Sequence, residues 1–176
     1  SDYKSTYDLL NAILPEIVLY GEPWTGGGPI LFGKGDQKGL EIAVFNDDIR
    51  DAIRGSVFDE KVKGFGLGAT GQKTKIERGI VGSIEYNSRI KSWAQDPQET
   101  INYVANHDNH TLWDKNALAL GVKPWQQKID EKTLETLKSS QKFSNAMILT
   151  MQGVPFLHGG VDFARTKQGN HNPYNG

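Results

Sequence analysis

Four short apolar runs, each passing directly into a polar cluster, limit what this chain can fold into. Ile17-Val18-Leu19-Tyr20 leads into Gly21-Glu22-Pro23-Trp24, and residues 41–45 lead into Asn46-Asp47-Asp48. Residues 100–105 lead into Asn106-His107-Asp108-Asn109-His110, and residues 154–158 into Gly159-Gly160. Short runs rich in β-branched residues and without polar alternation are the habit of buried parallel strands. Helical spacing separates them. Residues 7–13 carry Tyr7, Leu9, Leu10 and Ile13, with Ser5 and Thr6 as candidate caps and Pro15 as the stop. Residues 49–53 fit one or two helical turns, and residues 74–84 a short helix. Asp130 is placed to cap a long helix that runs through Thr150 and is stopped by Gly153 and Pro155. Residues 64–71 hold four glycines and read as a loop. Alternating strands and helices predict an α/β fold with a parallel sheet. Polar clusters just after the strands stand where a βα-barrel builds its active site.

Charge and composition exclude several function classes. The 176 residues hold 20 Lys+Arg against 21 Asp+Glu, a formal net charge of −1. That balance provides no field for nucleic acid or an anionic membrane surface, so no nucleic-acid or membrane partner is expected. No apolar run approaches the roughly 18 residues of a membrane span. The absence of cysteine removes disulfides, thiolate catalysis and Cys-ligated zinc. Ser1-Asp2-Tyr3-Lys4 has no signal-peptide core, which leaves the compartment open.

Taken singly, the candidate residues are ambiguous. Glu22, at a strand end beside Pro23 and Trp24, has neighbours that would desolvate a carboxyl group and suit it to general-acid work; an ordinary loop glutamate is the competing reading. Asp108, flanked by His107 and Asn109, fits metal binding, hydrolysis, sugar-hydroxyl recognition or a plain Asx-type turn. No G-x-S-x-G elbow, Walker loop or H-E-x-x-H motif is present. Trp24, Trp113 and Trp125 lie near loops or strand ends, where indoles serve sugar stacking or packing alike.

Read in order, the segments resemble pullulanase-type (type I) debranching enzymes of the α-amylase superfamily. Leu19-Tyr20-Gly21-Glu22-Pro23-Trp24-Thr25-Gly26-Gly27 resembles the fifth-strand region of their catalytic barrel. Phe45-Asn46-Asp47-Asp48-Ile49-Arg50-Asp51-Ala52-Ile53-Arg54-Gly55 resembles the stretch after the sixth strand, and Tyr103-Val104-Ala105-Asn106-His107-Asp108-Asn109-His110-Thr111-Leu112-Trp113-Asp114 the seventh. Residues 153–160, then Phe163-Ala164-Arg165-Thr166-Lys167 and Gly169-Asn170-His171-Asn172-Pro173-Tyr174, are similar to the eighth strand and its loop. The resemblance implies strands five to eight of a TIM (β/α)₈ barrel, with residues 1–176 a partial catalytic domain that lacks the N-terminal half.

It further implies hydrolysis of α-1,6 branch linkages in pullulan, starch or glycogen-type α-glucans by a retaining mechanism. Glu22 would be the acid/base and Asp108 the second carboxylate that orients sugar hydroxyls. His107, Trp24, Asn109, Arg165 and Asn172 would bind substrate. The family's nucleophilic aspartate lies in a segment like Gly-Phe-Arg-Phe-Asp at the end of the fourth strand, and these 176 residues contain no such segment. The expected partners are therefore an α-glucan and the rest of the barrel, and the segment alone is expected to be inactive. No cofactor is required; Asp47, Asp48 and Asp51 leave a structural calcium compatible with the sequence. An isoamylase-like or α-1,4-acting enzyme and a non-catalytic glucan-binding module are the alternatives. A polysaccharide substrate suits a bacterial secreted, cell-surface or cytoplasmic enzyme equally.

Overall fold

A computed structural model describes residues 3–172 apart from Gly26, Ile30 and Gln127. Gly26 of the first motif and Pro173-Tyr174 of the last therefore lie outside the described residues.

The architecture is α/β, with four strands in one parallel sheet: β1 (Tyr20–Gly21), β2 (Ala43–Phe45), β3 (Thr100–Asn102) and β4 (Val154–Pro155), in the spatial order β1-β2-β3-β4. Registers pair Tyr20 with Ala43, Phe45 with Ile101, and Ile101 with Val154. Sequence neighbours are thus spatial neighbours, each joined by a crossover, as a parallel sheet requires. Every strand is shorter than its apolar run, because ladder pairing covers only part of each extended stretch. Tyr103, Val104 and Ala105 remain buried beyond the end of β3.

The period of two divides the sheet into faces. One carries Ala43, Phe45, Ile101 and Tyr103, with Val154 and Phe156 against them. Phe45 is its hub, 4.9 Å from the Tyr103 ring and 5.4 Å from Phe156 in edge-to-face geometry. The other face carries Val44, which packs with Trp93 and Ala94. It also carries Asn46 and Asn102, joined side chain to side chain at 2.9 Å, so that two buried amides satisfy each other.

The helices are α1 (Tyr3–Ile13), α2 (Asp47–Arg54), α3 (Lys73–Ile80), α4 (Leu112–Ala119) and α5 (Glu131–Thr150). Asp130 caps α5 by accepting from Thr133 N at 2.9 Å, as the sequence predicts, and Asn46 caps α2 by accepting from Ile49 N at 3.2 Å. A buried cluster joins Ile49 and Ile53 of α2, Ile76 of α3, Leu112 of α4 and Ile148 of α5. Gly79 lets α3 cross α2 closely: a Cβ there would stand 2.3 Å from Ile49 Cδ1. Among the described residues no helix is long and apolar enough to cross a membrane.

Four expectations need correction. The helix α1 begins at Tyr3, so Ser5 and Thr6 lie inside it and do not cap it. The first strand is not buried: Val18 is 56% and Tyr20 54% exposed, because β1 is a sheet edge with only β2 beside it. The helix expected over 74–84 ends at Ile80, before Gly82 turns the chain at φ +66°. Finally, α4 has no counterpart in the predicted elements. It is buried nearly all round, through Leu112, Asp114, Lys115, Asn116, Ala117 and Ala119, so it shows no polar face and no helical period of polarity.

Candidate active site

Because all four strands are parallel, the segments that follow them emerge at one end of the sheet. Glu22 follows β1 directly, while His107 and Asp108 follow the extended stretch beyond β3. One ligand-type atom from each of Glu22, His107 and Asp108 lies within 4.8 Å of the other two. Two carboxylates and an imidazole this close can pass a proton to a bound oxygen, hold sugar hydroxyls, or hold a divalent cation. His107 Nε2 is 3.5 Å from Asp108 Oδ1.

The supporting backbone is built by local bonds. Asp108 N donates to Asn106 Oδ1 at 3.1 Å, and Lys167 Nζ donates to the His107 carbonyl at 3.1 Å. Asn109 takes the left-handed conformation, φ 60°, which asparagine tolerates better than most residues. Glu22 is exposed, whereas the sequence predicts desolvation by its neighbours. Pro23 is buried, but the outer side of the edge strand is open and the carboxyl group meets solvent.

Of the remaining candidates, Trp24 sits 6.5 Å from the Phe45 ring with part of its indole open to solvent. Arg165 Nη1 lies 3.0 Å from His158 Nε2, and burial followed by the Arg165 charge holds the His158 pKa down. Asn172 N donates to Asn170 Oδ1 at 2.8 Å within the last loop. The structure therefore unites Glu22, His107 and Asp108, with Trp24 and Asn109 on the adjoining segments. The described contacts of Arg165 stay within its own loop, with His158 and Gly160. Trp125 backs that loop: a Cβ on Gly169 would touch its ring at 2.5 Å.

Several residues that hold the site were not singled out by sequence reasoning. Buried Asp114 accepts from Thr166 Oγ1 at 2.5 Å, Lys167 N at 2.8 Å and Gly169 N at 3.2 Å, tying the last loop to α4. His110 Nε2 donates to Gly169 O at 3.0 Å, and burial lowers the pKa of that imidazole. Arg50 Nη1 donates to Tyr103 Oη at 2.8 Å, with its guanidinium 5.6 Å from the ring centre; burial pushes the phenol up to about 12. The one available signal was position, since each stands on a segment that follows a strand.

The acidic turn after β2 is met by cations. Lys34 Nζ is 2.6 Å from Asp47 and 3.1 Å from Asp48, Arg78 is 3.3 Å from Asp48, and Arg50 Nε is 2.7 Å from Asp51.

No family model matches the chain. Individual proteins do. A pullulanase of Bacillus subtilis is 38% identical over 168 residues, which is 91% of this chain and 22% of that protein. Among solved structures, the pullulanase from Bacillus acidopullulyticus superposes with a TM-score of 0.83 at 42% identity, covering 98% of this chain and 20% of that one. A variant pullulanase from Paenibacillus barengoltzii complexed with maltotetraose gives 0.85 at 34% identity, covering 98% and 26%. The chain thus spans about a fifth to a quarter of the length of these relatives, and over that span it is similar to pullulanases in both sequence and fold.

Proposed function

We propose that this chain supplies part of the active site of an enzyme that hydrolyses α-1,6 branch linkages in pullulan, starch or glycogen-type α-glucans. The observation that carries the reading is the convergence of Glu22, His107 and Asp108 within 4.8 Å at the strand ends. Glu22 is the acid/base: it protonates the leaving glycosidic oxygen and then takes the proton from the attacking water. Asp108 and His107 bind the hydroxyls of the ring being cleaved and favour its distorted transition state. Trp24 offers a stacking face to the acceptor sugar, and Asn109, Arg165 and Asn172 make outer contacts. The complex of a similar enzyme with maltotetraose supports an α-glucan as ligand.

Retaining hydrolysis also needs a carboxylate nucleophile. In this reading it comes from a segment outside these 176 residues, on the strand beside the open edge of β1. The four strands are then the fifth to eighth of a (β/α)₈ barrel, and residues 1–176 are a partial domain with no turnover alone. The exposed apolar side chains of Leu9, Ile13, Leu14 and Val18 fit a surface covered by that remainder. The reaction needs no cofactor, and a calcium ion would have a structural role only.

The test is pullulan hydrolysis by the full-length protein, wild type against Glu22→Gln, with products resolved by size. Maltotriose from the wild type and a loss of roughly 10²–10⁴-fold in the variant are expected. Cleavage of linear glucans with pullulan left intact would move the linkage to α-1,4. Glucan binding with no cleavage would make the chain a binding module.

A further inference from the structure

Two buried cations have no part in the chemistry above. Arg54, at the end of α2, is 2% exposed, and Lys115, on α4, is 1% exposed. No carboxylate lies within bonding distance of either among the described contacts. Each donates instead to backbone carbonyls of a loop. Arg54 Nη1 donates to His110 O at 2.9 Å. Lys115 Nζ donates to Glu60 O at 3.0 Å and to Val62 O at 2.5 Å.

The arrangement is crossed. Arg54 stands immediately before the 55–64 loop but holds the 106–111 loop. Lys115 stands just after the 106–111 loop but holds the 55–64 loop. These are the two walls of one groove of about 660 Å³, lined by Val57, Phe58, Glu60, Asn109, His110 and His171. Beyond the point where its two ends meet at Gly55 and Gly64, the first wall has little else to hold it in place: its internal bonds are local, such as Lys61 N to Asp59 Oδ1 at 2.9 Å, and Phe58 at its tip is 93% exposed. The second wall carries His107 and Asp108. Burying a charged group without a carboxylate is costly, and burial lowers both pKa values, to about 10 for Arg54 and about 8 for Lys115. A hydrophobic side chain would fill either position at less cost. What the cations add is a donor on a long stem that reaches a carbonyl across the gap.

We propose that Arg54 and Lys115 are positioning residues that cross-brace the groove, Lys115 setting the outer 56–63 wall and Arg54 the wall that bears the reactive groups. The inference rests on the reading of the groove as part of a glucan site, but the brace can be tested without hydrolysis. Hydrogen exchange is measured on the full-length protein for Lys115→Met and Arg54→Met. In Lys115→Met, amides of 56–63 should exchange roughly tenfold faster with 106–111 unchanged; in Arg54→Met the pattern should reverse. Should Lys115→Met fail to fold, Lys115→Gln, which keeps a donor, is read the same way with a smaller rise expected.

Unchanged exchange in both loops, or equal loosening of both by either variant, overturns the brace. On pullulan, Lys115→Met should raise KM severalfold with kcat within roughly twofold, whereas Arg54→Met should lower kcat. A crossed exchange pattern in a protein that leaves every glucan intact would sink the hydrolase reading and keep the brace. Hydrolysis with no crossed pattern would do the opposite.

Discussion

The centre of the sheet and its first edge are built from similar residues and differ in what they contribute. In β2 and β3, Ala43, Val44 and Ile101 are at most 2% exposed, with a strand on each side and helices beyond. Around β1, Val18 and Tyr20 keep more than half their surface. Yet the edge carries Glu22 directly at its strand end, while the centre's polar side chains within the sheet, Asn46 and Asn102, are buried, and its more exposed groups, His107 and Asp108, come only beyond a further extended stretch. Stability resides where neighbours are many. The Glu22 carboxylate stands where one side is open and a further segment or a ligand can reach it. Strand-forming residues alone do not distinguish these situations; the number of neighbours does.

That contrast can be broken by substitution. Ile101→Ala should cost about 2–5 kcal/mol in chemical denaturation, the usual range for truncating a fully buried aliphatic side chain. A loss under about 1 kcal/mol would mean that the centre is not the stabilising layer.

A smaller effect concerns the buried Lys115, whose pKa is pushed down to about 8 by burial, from an unfolded value near 10.5. Between those values the unfolded chain binds more protons than the folded one, so this residue's contribution rises with pH. Relative to Lys115→Met, the wild type should therefore gain stability from pH 8 to pH 10.5, by at most about 1.4 kcal/mol per pH unit. A flat difference across that window would show that the ammonium is as well solvated folded as unfolded.

The smallest effect is expected at the edge. Val18→Ser in the 176-residue chain should change stability by no more than about 0.5 kcal/mol. The same substitution in the full-length protein should cost more, if a further segment covers β1. Equal costs in the two backgrounds would remove the case for a covered edge.

Much of this was legible in the sequence. The strand runs, the Asp130 cap and the polar clusters at the strand ends are local signals, read over a few residues. Sequence proximity placed His107 beside Asp108, and only the resemblance tied both to Glu22, which is 85 positions away. What escaped has a common cause. The helix α4 is buried on all sides and so lacks periodicity, and the burial expected of β1 and Glu22 depended on neighbours that no local pattern encodes. The polar residues Asp114, Arg54 and Lys115 have no role legible in the sequence because nearly all their partners are backbone groups 50 or more residues away. A side chain that bonds to backbone leaves no matching residue type in the sequence to betray it.

The 55–64 loop closes on itself at its base. A Cβ on Gly55, which adopts φ +94°, would stand 2.1 Å from Val62 O, and one on Gly64 would stand 2.3 Å from Ile53 O. The two backbones meet where the loop leaves α2 and returns. Residues between them form a lobe with a fixed stem, so a change in length at the tip, near Phe58, need not be transmitted to α2 or to the sheet. The wall of the groove is in this sense interchangeable: its reach over a ligand can be altered by insertion or exchange while the stem glycines and the Lys115 anchor stay as they are.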